Sequence, residues 1–207
     1  MKAHFSVLLL WLVLGCCAVA ADASRTIVFF GDSLTAGYGL DDPDTESYPA
    51  IFQQKLEAAH LPWRVINAGL SGETTSAGLR RVDWILRQHV DIFVLALGAN
   101  DGLRGIEPAV SAANLESIIN RVRAKYPEAK IVIAGMQMPP TMGEEYGRAF
   151  SGIFPAVAEK THATLIPFLL ADVGGRSELN QPDGIHPTAK GATKVAETVW
   201  AVLHPLL

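Results

Sequence analysis

Short runs of apolar residues alternate with longer amphipathic segments along the chain from Thr26 onward. The short runs are rich in Val, Ile and Phe and too brief for helices, so they predict five strands, at residues 26–30, 63–68, 91–98, 129–135 and 163–168. The longer segments have apolar residues three and four positions apart and predict five helices, at residues 47–60, 73–89, 109–126, 146–162 and 187–204. Strands that alternate with helices form a parallel sheet covered by helices on both faces. The pattern therefore predicts an α/β domain with a mainly five-stranded parallel sheet.

Polar residues follow the first three predicted strands and precede the last helix. The segments are GDSL at 31–34, NAGLSGETT at 67–75, GANDG at 98–102 and PDGIHPT at 182–188, whereas the fourth strand runs into the mostly apolar MQMPP at 136–140. In an open parallel sheet, ligands bind beyond the carboxyl ends of the strands. We therefore expect Ser33, Gly72, Asn100 and His186 to lie close together, although they are spread over most of the chain.

These four segments contain the residue types that nucleophilic catalysis requires. Ser33 lies at a strand-to-helix junction, where its hydroxyl is beside unpaired backbone N–H groups and suits a nucleophile whose attack creates an oxyanion. Asp183 and His186 are three residues apart on a short turn, so the carboxylate can orient an imidazole that acts as the base. The N–H groups of Ser33 and Gly72 and the side-chain amide of Asn100 are candidate donors to the oxyanion.

Each of these residues taken alone is typical of a turn or a helix cap. Asp32 or Ser33 can be an N-cap, Gly72 a turn residue, and Asp183-Gly184 a turn pair. Asp32, beside the candidate nucleophile, is predicted to have a supporting role. Four such signals occur at positions that converge in the predicted fold, and this favours a catalytic site over four unrelated turns or caps.

As a set and in this order, the segments resemble the four sequence blocks of the SGNH hydrolases, also called GDSL esterases. GDSLTAG, NAGLSGET, GANDG and DGIHP carry the resemblance, which spans residues 30–187. The chain is most similar to the secreted thioesterase I, lysophospholipase L1 and arylesterase group of bacteria. The resemblance implies a three-layer α/β/α sandwich with a flavodoxin-like sheet.

The resemblance also implies a role for each site residue. Ser33 is the nucleophile, His186 the base and Asp183 its orienting carboxylate, while Ser33, Gly72 and Asn100 supply the oxyanion hole. The chain departs from the family pattern at residue 99, where LGAND replaces the common LGGND. The alanine is expected to have only a small effect on the backbone beside the hole.

Composition and motifs argue against other classes of function. The formal net charge is −4 and the Lys and Arg residues are scattered, so no basic surface is available for nucleic acid or an anionic membrane. The histidines show no metal-ligand spacing, and neither a dinucleotide nor a P-loop glycine motif occurs, so we expect no metal and no cofactor. A non-catalytic ligand-binding α/β domain is an alternative, but it leaves the Asp183–His186 pair without a role.

Apolar residues near the predicted site suggest the class of substrate. Leu103, the segment MQMPPTMGEEYG at 136–147 and Ile185 supply Leu, Met and Tyr side chains. Such a wall suits short- to medium-chain acyl or aryl esters, with acyl thioesters and lysophospholipids as overlapping substrates. A carbohydrate O-deacetylase of the same family is the alternative, and the methionines can also be ordinary loop packing.

The first 23 residues have the pattern of an export signal. Lys2 precedes an uncharged run up to residue 21, FSVLLLWLVLG is its apolar centre, and AVA and ADA are small-residue cleavage patterns. We predict a signal peptide at 1–23 and a single domain at 24–207, exported to the periplasm or secreted, monomeric and without a membrane span in its mature form. An uncleaved anchor and a lipoprotein signal ending at Cys16 are the alternatives. Cleavage after Ala20 or Ala23 would remove both cysteines, so the nucleophile is not a cysteine.

Overall fold

Five parallel strands form one sheet in the computed structural model, which describes residues 25–207. The strands are β1 (Arg25–Gly31), β2 (Trp63–Gly69), β3 (Ile92–Ala96), β4 (Lys130–Ala134) and β5 (Thr164–Ile166). Their spatial order is β2-β1-β3-β4-β5, which is the order of the flavodoxin-like fold. The predicted parallel sheet is therefore confirmed.

Residues 25–207 contain eight α-helices. All five predicted helices are present with ends shifted by a few residues, and three short helices, at residues 33–36, 43–46 and 99–103, lie outside the predicted segments. Two further 3-10 turns lie at Pro140–Met142 and His204–Leu206. The helices are α1 (Ser33–Ala36), α2 (Pro43–Glu46), α3 (Tyr48–Ala58), α4 (Thr75–Ile85), α5 (Ala99–Leu103), α6 (Pro108–Lys125), α7 (Glu144–Thr161) and α8 (Ala189–Leu203).

Helices cover both faces of the sheet, which confirms the three-layer α/β/α arrangement. Neighbouring residues of a strand point to opposite faces. Phe29 of β1 meets the rings of Tyr48 and Phe52 of α3, each at a centroid distance of 5.5 Å. Phe30 points to the other face, where it packs beside α4. Helix α3 packs against α8, and α6 packs against both α4 and α7. Because both faces are covered, β1 is a continuous apolar run instead of an alternating one.

The strand order reverses between β1 and β3. The chain leaves β1 through α3 on one face to reach β2, and then passes through α4 on the opposite face to reach β3 on the far side of β1. A crevice forms beyond the carboxyl ends of strands at such a reversal. The segments that begin at Asp32 and Leu97 open into this crevice, and they lead into α1 and α5, which carry Ser33 and Asn100.

The predictions for the N-terminus lie outside the described residues. They concern the signal peptide at 1–23, the lipidation of Cys16 and the uncleaved anchor. Among the helices of residues 25–207, none has the length and apolar character that crossing a bilayer requires.

Candidate active site

The structure brings Ser33, His186 and Asp183 into one chain of hydrogen bonds. Ser33 is the first residue of α1, directly beyond β1, whereas the other two lie in the loop between β5 and α8. The Nε2 atom of His186 is 2.8 Å from the Ser33 Oγ, and its Nδ1 atom is 2.7 Å from Asp183 Oδ2. An imidazole with its proton on Nδ1 donates to the carboxylate and accepts the serine proton at Nε2. This arrangement matches what a serine nucleophile requires.

Asp183 is held by its own turn. Its Oδ1 atom accepts hydrogen bonds from the backbone N–H groups of Ile185 at 2.9 Å and His186 at 3.0 Å. Partial burial raises the pKa of the Asp183 carboxyl. The hydrogen bonds from the His186 ring and from these two N–H groups lower it by a larger amount, so the pKa falls from 3.8 to about 2. Asp183 therefore stays ionised at neutral pH and can stabilise a positive imidazole.

Two residues that sequence reasoning missed hold the histidine loop against α1. The Nε2 group of Gln181 donates to the carbonyl oxygens of Tyr38 at 2.7 Å and Pro187 at 3.0 Å. The backbone N–H of Gln181 donates to the His186 carbonyl at 2.7 Å. The Tyr38 ring lies against the His186 ring with a centroid distance of 4.8 Å. Gln181 thus ties the loop that carries the imidazole to the segment that follows the serine.

Three N–H groups are available as donors among the residues that line the cleft with Ser33. Among the hydrogen bonds of residues 25–207, none uses the backbone N–H of Ser33 or Gly72. The Asn100 side chain donates through Nδ2 to the Glu73 carbonyl at 3.1 Å. An amide NH₂ has two donors, so this bond fixes the side chain and leaves one N–H for a ligand. Because α1 has only four residues, these individual donors matter more than a helix dipole.

Glycine is required at position 72 for its conformation. The residue has φ +79°, a region that L side chains rarely adopt. A Cβ built at this position would meet no protein atom closer than the Arg104 Nη2 at 3.9 Å. The protein's own atoms therefore leave room for a side chain, and it is the positive φ that favours glycine here. At the third block the positive φ, +123°, falls on Gly98, and Ala99 begins α5 without strain.

Asp101 anchors the loop beside Asn100 and was missed as a structural residue. It is completely buried and accepts hydrogen bonds from the Thr75 N–H at 2.8 Å, the Thr75 hydroxyl at 2.6 Å and the Ser111 hydroxyl at 3.1 Å. A buried carboxylate with three donors is well satisfied without a cation. These bonds connect α5 to the start of α4 and to α6.

Asp32 is a buried helix cap beside the candidate nucleophile. Its side chain is 1% exposed, and Oδ1 accepts a hydrogen bond from the Leu34 N–H at 3.1 Å. Burial raises the pKa of Asp32, the Leu34 bond opposes this rise, and the nearby carboxylates of Glu73 and Asp101 add to it, so that the pKa is about 7 instead of 3.8.

The raised pKa of Asp32 predicts a pH-dependent gain in stability from Asp32→Asn. Between pH 3.8 and about 7 the folded protein holds a proton at Asp32 that the unfolded chain releases, so stability falls as the pH rises through this window. Asparagine caps the helix equally well without a charge. We expect the variant and the wild type to unfold with similar free energies near pH 4, and the variant to be more stable by at most about 4 kcal/mol at pH 8. Urea unfolding from pH 4 to pH 8 measures the difference, and a constant difference across this range would contradict the assignment.

The candidate residues line one open cleft of about 600 Å³. Its lining has a polar part that includes Ser33, Gly72, Asn100 and His186, and most of the remaining lining is apolar. The sequence predicted part of this wall but not Phe168 and Leu170, which follow β5. The predicted contributions of Met142 and Tyr146 are wrong, because neither residue lines the cleft. The Tyr146 hydroxyl instead donates to the Ile106 carbonyl at 2.8 Å. The apolar lining side chains are Leu34, Leu103, Met136, Met138, Pro139, Pro140, Phe168, Leu170 and Ile185.

Comparisons with known proteins agree with this fold and identify the family. The model of the GDSL-like Lipase/Acylhydrolase family matches residues 29–194. The chain is 39% identical to Esterase TesA of Pseudomonas aeruginosa over 186 residues, which cover 89% of this chain and 90% of that protein. It is 34% identical to Thioesterase 1/protease 1/lysophospholipase L1 of Escherichia coli K12 over 188 residues, which cover 90% of this chain and 87% of that protein.

A solved structure of similar shape is that of the psychrotrophic esterase EstA from Pseudoalteromonas sp., inhibited by monoethylphosphonate. The TM-score is 0.82 at 32% identity, and the match covers 88% of this chain and 98% of EstA. The family match extends over most of the chain and contains every residue of the hydrogen-bonded site. The chain therefore belongs to the GDSL-like lipase/acylhydrolase family.

Proposed function

We propose that this protein is a serine hydrolase that cleaves carboxylic esters through an acyl-enzyme on Ser33. The observation that carries the proposal is the imidazole of His186, which joins the Ser33 hydroxyl at 2.8 Å and the Asp183 carboxylate at 2.7 Å. A hydroxyl becomes nucleophilic when a neighbouring base accepts its proton, and this geometry supplies both groups. The predicted roles of Ser33, Asp183 and His186 are part of this proposal.

The reaction proceeds in two halves. The Ser33 Oγ attacks the ester carbonyl carbon while its proton passes to His186 Nε2, and the carbonyl oxygen becomes an oxyanion. The oxyanion then collapses, the bond to the leaving oxygen breaks, and the imidazolium gives its proton to the leaving alcohol. A water molecule repeats these steps on the acyl-enzyme and releases the carboxylic acid. All proton transfers use His186, so the mechanism needs no metal and no cofactor.

Groups held in place by the fold stabilise the charges that develop during the reaction. Asp183 stabilises the imidazolium that forms on His186. The N–H groups of Ser33 and Gly72 and the free N–H of the Asn100 amide are proposed to bind the oxyanion. These donors are already held by the fold, so they need little reorganisation when negative charge appears on the carbonyl oxygen.

The apolar wall supports acyl and aryl esters as substrates. The cleft has a volume of about 600 Å³, and apart from its polar residues it is lined mainly by Leu, Met, Phe and Pro side chains. Burial of a methylene group contributes about 0.8 kcal/mol, so such a wall favours acyl chains of several carbons over a bare acetyl group. Short- to medium-chain acyl and aryl esters are the proposed substrates, with acyl thioesters and lysophospholipids as overlapping ones. The relative from Escherichia coli is named for the last two substrate classes.

A chain-length profile distinguishes this proposal from a carbohydrate O-deacetylase. We suggest measuring kcat/KM for 4-nitrophenyl esters with acyl chains of two to sixteen carbons, and for an acetylated oligosaccharide. An optimum above two carbons supports the acyl esterase. A preference for the acetylated sugar would support the deacetylase instead.

Covalent labelling tests the nucleophile directly. A fluorophosphonate reacts with an activated serine and leaves a stable adduct. We expect one adduct per protein molecule, and peptide mass spectrometry should locate it on Ser33. Labelling at another serine, or none in a folded preparation, would argue against the mechanism and favour a non-catalytic binding domain.

We also propose that the protein is exported as a single-domain monomer. The charge and small-residue pattern of residues 1–23 supports a signal peptide, with residues 24–207 as the mature domain. N-terminal sequencing of protein recovered from the periplasm of an expressing bacterium tests the cleavage site. Retention of residues 1–23 in the membrane fraction would favour the anchor, and a lipid-modified Cys16 would favour the lipoprotein.

A further inference from the structure

Arg81, on α4, is bound to the central sheet although it lies outside the cleft. Its Nη2 group donates to the carbonyl oxygen of Ala68 in β2 at 2.9 Å, and its guanidinium lies over the Phe30 ring of β1, 4.4 Å from the ring centre. The same side chain forms a two-point ion pair with Glu73, with Nε donating to Oε1 at 2.7 Å and Nη2 donating to Oε2. A planar guanidinium held at these points gives Glu73 a rigid partner.

Glu73 connects this ion pair to the proposed oxyanion hole. Its side chain is 1% exposed, and it directly follows Gly72 in the loop after β2. Its carbonyl oxygen accepts the hydrogen bond from Asn100 Nδ2 at 3.1 Å. The orientation of the Asn100 amide therefore depends on where the Glu73 peptide lies.

We propose that Arg81 is a positioning residue for ester hydrolysis, because it holds the Glu73 peptide that aims the Asn100 amide at the oxyanion. This inference rests on the proposed function. Without the ion pair, this segment after β2 is held by the Glu73 N–H, which donates to the Leu70 carbonyl at 3.1 Å, and by Arg104, which donates to the Gly72 carbonyl at 3.1 Å. The side chain of Glu73 is then no longer fixed, so its peptide can shift, and the second N–H of Asn100 shifts with it. Preorganised donors stabilise an oxyanion only while their geometry is kept within a few tenths of an ångström.

A purely structural role for Arg81 makes a different prediction. A buried carboxylate needs a partner, so the pair could serve only to neutralise Glu73. Loss of such a pair lowers the stability of the protein and leaves the rate constant of the folded enzyme unchanged. Loss of a positioning residue lowers kcat and leaves KM nearly unchanged, because the oxyanion forms only after the substrate has bound.

The first comparison is Arg81→Met against Arg80→Met. Arg80 is the preceding residue on the same helix, is exposed and donates only to the Ser76 hydroxyl at 3.1 Å, so it controls for the loss of an arginine from α4. We expect Arg81→Met to lower kcat by about 10–100-fold with KM within about threefold of the wild type. Arg80→Met should keep both constants, and its activity verifies the proposed function independently of Arg81.

A second variant removes the buried charge that Arg81→Met leaves behind. Glu73→Gln/Arg81→Met has no uncompensated carboxylate, so it should fold even where the single variant does not. The backbone carbonyl of residue 73 is retained in this variant, but no ion pair holds it in place. We therefore expect kcat to fall again by about 10–100-fold. A folded double variant with kcat within about threefold of the wild type would overturn the proposal.

A double-mutant cycle shows whether Arg81 acts through Asn100. In an Asn100→Ala background the amide is absent, so adding the Glu73→Gln/Arg81→Met change should lower kcat by less than about threefold further. A full second decrease of about 10–100-fold in that background would show that Arg81 acts elsewhere and would overturn the assignment. The wild type and Arg80→Met hydrolyse the ester in the same assay if the proposed function is right, so a failure of that function is distinguished from a failure of the Arg81 assignment.

Discussion

Replacement of Ser33 by alanine is expected to abolish ester hydrolysis while the fold remains intact. Alanine fills the same space but has no oxygen that can form the acyl-enzyme, so kcat should fall by at least about 10⁴-fold. The lost hydrogen bond to His186 Nε2, 2.8 Å long in the wild type, should change the free energy of unfolding by about 1 kcal/mol or less. Initial rates with a 4-nitrophenyl ester and thermal unfolding on the same preparation measure both effects.

Ser151→Ala is the matched control for this prediction. Ser151 lies on α7 outside the cleft, and its hydroxyl donates to the Arg148 carbonyl at 3.2 Å. The control should retain wild-type kcat and fluorophosphonate labelling. Near-normal turnover by folded Ser33→Ala would exclude the acyl-enzyme mechanism.

Removal of the Asn100 amide is expected to have the second-largest effect. If the amide donates to the oxyanion, its interaction strengthens as the carbonyl oxygen gains charge, so Asn100→Ala should lower kcat and largely spare KM. Loss of one such donor costs on the order of 10²–10³ in rate. The backbone donors of Ser33 and Gly72 remain, so the residual activity should exceed that of Ser33→Ala. The substitution also leaves the Glu73 carbonyl without its partner, which should destabilise the fold by about 1 kcal/mol.

Asn114→Ala controls for the loss of one amide hydrogen bond. Asn114 donates through Nδ2 to the Thr75 hydroxyl at 3.0 Å and does not line the cleft. It should lose a similar amount of stability and keep kcat. A value of kcat for Asn100→Ala within about threefold of the wild type, equivalent to about 0.65 kcal/mol of barrier, would remove Asn100 from the mechanism.

Most of the framework of the site could be predicted because it depends on local patterns. Apolar runs and three- and four-residue periodicities reflect which faces of each element are buried, so they located all five strands and the five long helices. Residues at the ends of parallel strands must share one edge of the sheet. The expected approach of Ser33, Asn100 and His186 followed from that rule and is present in the structure.

Contacts between distant segments could not be predicted in the same way. Gln181 reaches the Tyr38 carbonyl across 143 positions of sequence, and neither residue belongs to a periodic pattern. The apolar lining predicted from the sequence included Met142 and Tyr146 and omitted Phe168. The packing of the loops decides which of their side chains face a cleft, and that packing is not a local property of the sequence. The shift in the pKa of Asp32 likewise results from complete burial among neighbouring elements.

The sequence alone thus determined the α/β class and the parallel sheet, because both depend on local periodicity. It also determined the family resemblance and the residues proposed for catalysis, because these depend on short sequence blocks. Only the tertiary structure decided the contacts around these residues. The Arg81–Glu73 pair, the three hydrogen bonds to buried Asp101 and the left-handed backbone of Gly72 depend on side chains and peptides from different elements meeting at distances of a few ångströms. Such distances are set by the packing of the whole sheet and its helices, and no single segment of the chain encodes them.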